Sequence, residues 1–133
     1  MNNYTWYQKL KKPTWAPPGW LFGPVWSVLY VVIAVTFGWI FMLVAQGRAP
    51  LALAVPFALN LVFNVAFTPL QFGLKSNRLA AVDVLLTLVT LVWAVAAAWP
   101  FAPWVTLTLI PYLLWVSFAT VLQLTVTWLN WKA

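Results

Sequence analysis

Residues 6–26 read W-Y-Q-K-L-K-K-P-T-W-A-P-P-G-W-L-F-G-P-V-W, and here a basic segment enters a long uncharged run. Three lysines precede Pro13, and no charged residue follows them until Arg48. Proline fixes its own φ and keeps the preceding residue out of helical geometry, so residues 17–18, both proline, cannot continue a helix. The stretch therefore predicts a stiff, basic and aromatic approach to a helix that begins near Trp20. Such a segment is typical of the boundary between water and a membrane.

Three uncharged runs divide the chain, at residues 13–47, 49–74 and 84–131. A membrane-spanning helix needs about 20 apolar residues, so the third run is too long for one helix and is predicted to break at residues 99–103, W-P-F-A-P. With 65% hydrophobic and 6% charged residues, the chain is predicted to be an all-α integral membrane protein. The prediction is one transmembrane domain over 1–133, with a basic aromatic loop at 1–19 and four helices at about 20–46, 50–73, 79–98 and 104–130. Pro111 is predicted to interrupt the last helix near its start, because proline removes a backbone hydrogen bond.

The distribution of charge predicts the orientation of these helices. With four spans, only Arg48 lies on the side opposite to the N-terminus. The other basic residues are Lys9, Lys11, Lys12, Lys75, Arg78 and Lys132. Because basic residues concentrate on the cytoplasmic side of membrane proteins, both termini are predicted to be cytoplasmic, in what is expected to be a bacterial inner membrane. These charges flank membrane spans and form no groove-reading motif, so no nucleic-acid partner is predicted.

Four blocks of the sequence resemble the TspO/MBR family of tryptophan-rich sensory and translocator proteins. The first block is W-Y-x-x-L-x-K-P-x-W-x-P-P-x-x-x-x-G-x-x-W, from Trp6 to Trp26. The others are L-N-L-V-F-N-V-A-F at 59–67, N-R-L-A-A-V-D at 77–83 and P-Y-L-L-W-V-S-F-A-T at 111–120. Members of the family have five membrane-spanning helices, and the first block is the loop after their first helix, so that helix is expected to be missing here. The resemblance also implies a homodimer.

Asn60, Asn64 and Gln71 recur at helical spacing in the second predicted helix, with Phe67 between the last two. Burying polar side chains in a membrane is costly unless they find partners, so the stripe is either a hydrogen-bonded seam between helices or one wall of a ligand cavity. Physical chemistry alone favours the seam. The resemblance favours the cavity, because the family's pocket uses the asparagine of its L-N-x-x-F-N segment.

Ten of the eleven tryptophans fall into two groups by their depth relative to the predicted helices. Those near helix ends suit the aromatic belt of a membrane protein. Among the deeper ones, Trp39 and Trp93 are interpreted as lipid-facing or packing bulk, whereas the resemblance implies that Trp26 and Trp115 are walls of the pocket. The predicted ligand-binding residues are Tyr7, Trp26, Tyr30, Asn60, Asn64, Phe67, Gln71, Trp115 and Ala119.

The depth of the predicted ligand-binding residues in the membrane also predicts the class of ligand, independently of the resemblance. Most of these residues lie in the cytoplasmic half of the predicted bundle, beneath a basic lid formed by Lys9, Lys11 and Lys12. Aromatic walls, a few amides and a basic lid suit a flat, largely apolar, anionic molecule such as a dicarboxylate porphyrin. The family is associated with the same tetrapyrroles. The sequence has no histidine or cysteine to ligate haem iron, so metal-free protoporphyrin is favoured, with no required cofactor and no metal site.

No catalytic site is predicted, because Asp83 is the only acid and there is no histidine. Asp83 is interpreted as interacting with a helix N-terminus and with Lys75 or Arg78, or as a structural anchor between helices or a proton or cation site. Some members of the family are credited with light-dependent breakdown of porphyrin. That chemistry needs no acid or base, so the sequence leaves it open as an alternative to ligand binding.

The leading prediction is a membrane protein that binds, and transports or senses, porphyrins and related hydrophobic ligands within the lipid bilayer. A structural membrane subunit is a second possibility, which the missing first helix favours. A small multidrug exporter is the least consistent with the sequence. Such exporters exchange protons at a carboxylate in the first helix, and residues 20–46 contain no acid.

Overall fold

The computed structural model describes residues 10–131, which form helices joined by short turns. A 3-10 turn at Gly19–Leu21 leads into α1 (Phe22–Ala45). Helix α2 (Leu51–Thr68) continues into a π-helical turn at Pro69–Gly73. The remaining helices are α3 (Asn77–Ala98), α4 (Pro103–Thr108) and α5 (Ile110–Leu129).

Four segments of this described range are long and apolar enough to cross a membrane. They are Gly19–Ala45, Leu51–Gly73, Asn77–Ala98 and Ile110–Leu129. The chain is therefore a multi-pass membrane protein, and the predicted all-α fold class is confirmed. The structure begins α3 two residues earlier than predicted, because the Ser76 side chain caps the helix by accepting a hydrogen bond from the Leu79 N–H at 3.1 Å.

Local sequence explains how α1 ends and why α2 can begin soon after it. Gly47 adopts a left-handed backbone with φ 71°, which a residue without a Cβ reaches at no steric cost. The Gly47 N–H then donates to the Val44 carbonyl at 3.1 Å, and the Arg48 N–H donates to the Leu43 carbonyl at 2.9 Å. These two bonds satisfy carbonyls that the helix end would leave without partners, which produces a sharp stop.

Prolines account for two irregularities in the spans. Pro69 has no N–H to continue the α-helical ladder, and its own carbonyl accepts from the Leu74 N–H at 2.8 Å, which is the wider spacing of a π-turn. Helices α4 and α5 are separated at Leu109, two residues before Pro111. The prediction that Pro111 interrupts the last helix near its start is confirmed.

Helix α3 lies between α2 and α5 and packs against both. A mainly apolar core lies where the second half of α1 meets α2, α3, α4 and the start of α5. The rings of Phe37 and Phe57 meet there edge to face, with centroids 4.8 Å apart, and Leu91 and Leu109 are fully buried beside them. The end of the bundle near Gly19 is packed less completely and contains the cavity described below.

The two turns that carry isolated basic residues allow a direct test of topology. The sequence has no cysteine, so Arg48→Cys and Lys75→Cys each introduce a single thiol. A membrane-impermeant maleimide is expected to label these two variants from opposite sides of the membrane, with Lys75→Cys on the cytoplasmic side. Leu91→Cys, at a fully buried position, is the control that stays unlabelled. Labelling of both turns from the same side would contradict the arrangement of spans.

Candidate ligand-binding site

A cavity of about 420 Å³ lies between α1, α2, α3 and α5. Sites for small molecules typically enclose about 300–1,000 Å³ and are mostly apolar, with a few polar groups. The cavity is lined by Gly19, Phe22, Gly23, Trp26, Tyr30, Asn64, Phe67, Thr68, Phe72, Val84, Thr87, Trp115, Val116, Ala119, Leu122 and Gln123. Its wall is therefore largely aromatic and aliphatic, interrupted by amide and hydroxyl groups.

Helix α1 contributes three rings to this wall. Phe22, Trp26 and Tyr30 follow one another at intervals of four residues, so they lie along one face of the helix. The Trp26 ring is tilted against the Tyr30 ring at a centroid distance of 5.4 Å. It also meets the ring of Tyr112, which belongs to α5, edge to face at 6.3 Å. These contacts fix the Trp26 indole between two helices.

Helix α5 contributes Trp115 and, one turn later, Ala119. The Trp115 ring meets the Phe22 ring edge to face at 5.7 Å and the Phe118 ring in a tilted contact at 5.6 Å. Its Nε1–H is buried and has no hydrogen-bond partner in the described structure. The small side chain of Ala119 leaves open space beside the indole. Trp26 and Trp115 are therefore both positioned as walls of the same cavity.

A chain of hydrogen bonds runs from the cavity wall into the core. The Tyr30 hydroxyl donates to Asn64 Oδ1 at 3.1 Å, and Asn64 Nδ2 donates to the Tyr112 hydroxyl at 2.7 Å. The Tyr112 hydroxyl in turn donates to Asn60 Oδ1 at 2.9 Å. Asn64 is thus both a cavity residue and a link between α1, α2 and α5.

The structure places Asn60, a predicted ligand-binding residue, outside the cavity wall. This residue is completely buried and does not line the cavity. Its Nδ2 donates to the Thr87 carbonyl at 2.9 Å and to Thr90 Oγ1 at 3.2 Å, which joins α2 to α3. Asn60 therefore belongs to the seam of interhelical hydrogen bonds, because α3 packs directly over its side chain.

Gln71 is also absent from the cavity wall. The prediction assumed a regular α-helix as far as residue 73, but the π-turn after Pro69 advances less per residue and rotates Gln71 away from the face that carries Asn64. Gln71 Nε2 instead donates to Asn77 Oδ1 at 2.9 Å, which ties the end of the π-turn to the start of α3. Its Oε1 is buried without a partner in the described structure.

Comparison with known proteins agrees with this architecture. The profile of the TspO/MBR family matches residues 1–129. The chain belongs to the TspO/MBR family. It is 38% identical over 126 residues to the tryptophan-rich protein TspO of Bacillus cereus, covering 95% of this chain and 81% of that protein.

Two further TspO/MBR relatives come from distant organisms. The tryptophan-rich sensory protein of Cereibacter sphaeroides is 36% identical over 132 residues, covering 96% of this chain and 78% of the relative. The human translocator protein is 35% identical over 121 residues, covering 89% of this chain and 70% of the relative. The family resemblance predicted from the sequence is therefore confirmed.

The predicted basic lid of this TspO/MBR protein is only partly described. Tyr7 and Lys9 lie outside the described residues, and Lys11 and Lys12 do not line the cavity. The Lys11 N–H donates to Asn130 Oδ1 at 3.0 Å, and Asn130 Nδ2 donates to the Lys11 carbonyl at 2.8 Å. This reciprocal pair attaches the basic segment to the end of α5. Burial lowers the pKa of the Lys12 ammonium group. The lid itself stays a prediction.

Asp83 is buried within α3, with 4% of its surface exposed, and its Oδ2 has no hydrogen-bond partner in the described structure. The predicted interaction of Asp83 with Arg78 is not seen among the described residues. Arg78 instead directs its guanidinium group to the carbonyl and the ring of Trp131. A role for Asp83 as an anchor between helices stays a prediction.

Several cavity residues of this TspO/MBR protein were not predicted from the sequence. Phe22 and Phe72 are aromatic wall residues, and Thr87 and Gln123 add polar groups from α3 and α5. The four-residue interval from Phe22 to Trp26 was a sufficient signal for the first of these. Gln123 was detectable by the argument applied to Asn64, because it is also an amide inside a membrane span. Thr87 carries no such signal, because a threonine can bond to its own helix, as Thr87 does with the Asp83 carbonyl.

Proposed function

We propose that this protein binds a flat, largely apolar tetrapyrrole, such as metal-free protoporphyrin, in the cavity between α1, α2, α3 and α5. The observation that carries this proposal is the convergence of six sequence-predicted residues on one cavity. These residues come from three helices and are Trp26, Tyr30, Asn64, Phe67, Trp115 and Ala119. Residues that are far apart in sequence but meet around one cavity are the arrangement expected of a binding site.

The chemistry of the wall supports a planar aromatic ligand. Trp26 and Trp115 offer large rigid ring surfaces, which stack on other aromatic systems in offset or edge-to-face geometry. Asn64, Thr87 and Gln123 offer a few polar groups for orientation. The sequence contains no histidine or cysteine to ligate haem iron, so we favour the metal-free ring as the ligand.

The biological role follows at a coarser level from the relatives. Proteins that this chain resembles are named a tryptophan-rich sensory protein and a translocator protein. We assign this chain to the same broad class, a membrane protein with a sensory or transport-related role. Binding in a cavity bounded by four membrane helices is compatible with either role, because both begin with capture of a hydrophobic molecule.

The proposal is tested by titrating the purified protein with protoporphyrin in detergent or lipid nanodiscs. Saturable binding is expected, with quenching of tryptophan fluorescence and a shift of the porphyrin absorption band, because the ring is expected to stack on Trp26 and Trp115. Linear, non-saturable uptake equal to that of protein-free nanodiscs would contradict the proposal.

The lid is tested by neutralising Lys9, Lys11 and Lys12 together with glutamine. A basic residue near the membrane surface contributes about 1 kcal/mol to attraction of an anion, so affinity for dicarboxylate protoporphyrin is expected to fall by fivefold or more. Affinity for the neutral diester of the same ring is expected to stay constant. Arg48→Gln, which removes one charge from a different turn, is the control for basic charge elsewhere in the protein and is expected to leave both affinities unchanged. Equal losses for the acid and the diester would show that the lysines act through the fold.

A further inference from the structure

A second polar surface, separate from the cavity, forms where the segment that carries Lys11 and the start of α3 meet the end of α5. Arg78, in the first turn of α3, donates a hydrogen bond to the Trp131 carbonyl, and its guanidinium carbon lies 3.8 Å from the centre of the Trp131 ring. Lys11 is attached to the preceding residue, Asn130, through the reciprocal backbone bonds described above. Lys11 and Arg78, which are far apart in the sequence, are therefore attached to two consecutive residues at the end of α5. We call Lys11, Arg78 and Trp131 the basic collar.

Lys75 adds to the charge beside the basic collar and occupies an unfavourable backbone conformation. Its φ of 53° lies in the left-handed region, where a glycine would avoid the steric cost that any other side chain incurs. Lys75 lies in the turn that leads into α3, three residues before Arg78. A lysine at a position that favours glycine is the kind of outlier that points to a functional side chain.

The described residues 10–131 hold no exposed acidic side chain that could neutralise this surface. The chain has seven basic side chains against one acidic side chain, and that acid, Asp83, is buried within α3. The partners of Arg78 in the structure are a neutral carbonyl and an aromatic ring. No exposed acidic side chain of the described residues supplies the complementary negative charge, so this surface is suited to a negatively charged partner molecule.

Exposed tryptophans at the same end of the bundle indicate where that molecule lies. Trp128 and Trp20 are highly exposed, with 76% and 72% of their surfaces accessible, and Trp131 is 54% exposed. Exposed indoles at the ends of membrane-spanning helices settle at the level of the lipid headgroups. Arg78 is exposed and contacts Trp131, so we expect its guanidinium group at the same level as that indole, close to the lipid phosphates. A guanidinium group whose plane is fixed by an indole and that has donors left over is suited to grip a phosphate with two parallel hydrogen bonds.

We propose that the basic collar is a binding surface for the headgroup of an anionic phospholipid, with Arg78 contacting the phosphate and Lys11 supplying additional charge. Charge complementarity and membrane depth together favour a lipid over a soluble anion. This surface lies outside the tetrapyrrole cavity, because neither Lys11 nor Arg78 lines that cavity. Lys11 also belongs to the proposed lid, so Arg78→Gln is the variant that tests the headgroup surface alone.

The test uses the full chain reconstituted in nanodiscs of phosphatidylcholine that contain an increasing fraction of phosphatidylglycerol. Native mass spectrometry then counts the lipids of each type that stay bound to the released protein. The protein is expected to retain phosphatidylglycerol in preference to phosphatidylcholine. Arg78→Gln is expected to lower its apparent affinity by about fivefold, and Arg78→Gln combined with Lys11→Gln by roughly thirtyfold, from about 1 kcal/mol for each basic residue. Lys11→Gln keeps the hydrogen bonds between the backbone of residue 11 and the Asn130 side chain.

Arg48→Gln is the matched control, because it removes the same charge from the turn between α1 and α2, and it is expected to leave lipid retention unchanged. Trp131→Leu keeps the carbonyl that Arg78 contacts but removes the ring, and a severalfold loss of retention is expected from the poorer orientation of the guanidinium group. Circular dichroism checks that each variant keeps its helices. If Arg78→Gln loses them, Arg78→Lys replaces it. Equal losses for Arg78→Gln and Arg48→Gln would overturn the proposal in favour of general attraction by net charge. Displacement of the lipid by millimolar glycerol phosphate would overturn it in favour of a soluble anion.

Discussion

Replacing Trp26 or Trp115 with alanine is expected to weaken protoporphyrin binding by about 1–3 kcal/mol, which is roughly 5- to 150-fold in Kd. Both indoles line the cavity, and each is held by further rings, Trp26 by Tyr30 and Trp115 by Phe22. Truncation removes a large, rigid stacking surface and leaves empty volume in its place. The measurement is a titration followed by the absorption band of the porphyrin, because tryptophan fluorescence itself changes in these variants.

Trp39→Ala and Trp93→Ala are the matched controls for this prediction. Neither residue lines the cavity, and both are substantially exposed on the outer surface of the bundle, with Trp39 packed edge to face on Trp104 at 5.7 Å. These variants are expected to bind protoporphyrin normally. Equal losses in all four variants would indicate general destabilisation, and unchanged binding in Trp26→Ala and Trp115→Ala would place the site elsewhere.

Removing the hydroxyl group of Tyr112 is expected to have the largest effect on stability. In Tyr112→Phe, Asn60 Oδ1 and Asn64 Nδ2 each lose the partner that the structure gives them, inside a core where Tyr112 and Asn60 are completely buried. A buried polar group that loses its partner costs about 1–3 kcal/mol, so the free energy of unfolding is expected to fall by at least about 2 kcal/mol. Denaturation of the detergent-solubilised protein, followed by circular dichroism, measures this change.

Tyr30→Phe provides the comparison for the Tyr112 variant. Among the described residues the Tyr30 hydroxyl bonds to Asn64 Oδ1, and 49% of the Tyr30 surface is exposed, so its loss is expected to cost less than about 1 kcal/mol. A much larger loss of unfolding free energy in Tyr112→Phe than in Tyr30→Phe would show that the stabilising part of the network lies in the interior. Similar small changes in both variants would mean that the network contributes little net stability.

Asn64 connects this network to the candidate site. It lines the cavity, and it bonds both to Tyr30 of α1 and to Tyr112 of α5. A ligand that contacts the Asn64 amide therefore contacts a side chain whose hydrogen bonds join three helices. This arrangement provides a physical route by which occupancy of the cavity can alter helix packing, as a sensory role would require.

The positions of the membrane spans were predictable because they depend on local features of the chain. Uncharged length determines how many helices can cross a bilayer, and proline and glycine act on the backbone within a few residues. The break near Pro111 and the turn at Gly47 follow from these rules. The aromatic walls at Trp26 and Trp115 were assigned to the pocket through the family resemblance, and the structure places both on one cavity.

The roles of the individual polar residues required the tertiary structure. Asn60 and Asn64 are one helical turn apart on the same face, yet α3 covers Asn60 whereas Asn64 borders open space. Gln71 leaves that face because one π-turn changes the rotation of the chain, and Gln123 reaches the cavity from a different helix. Sequence by itself determined that the chain crosses the membrane as helices and that these helices carry polar groups that need partners. Only the packing of the helices decided which of those groups bond to one another and which line a cavity, because that depends on how neighbouring helices cross and where gaps remain between them.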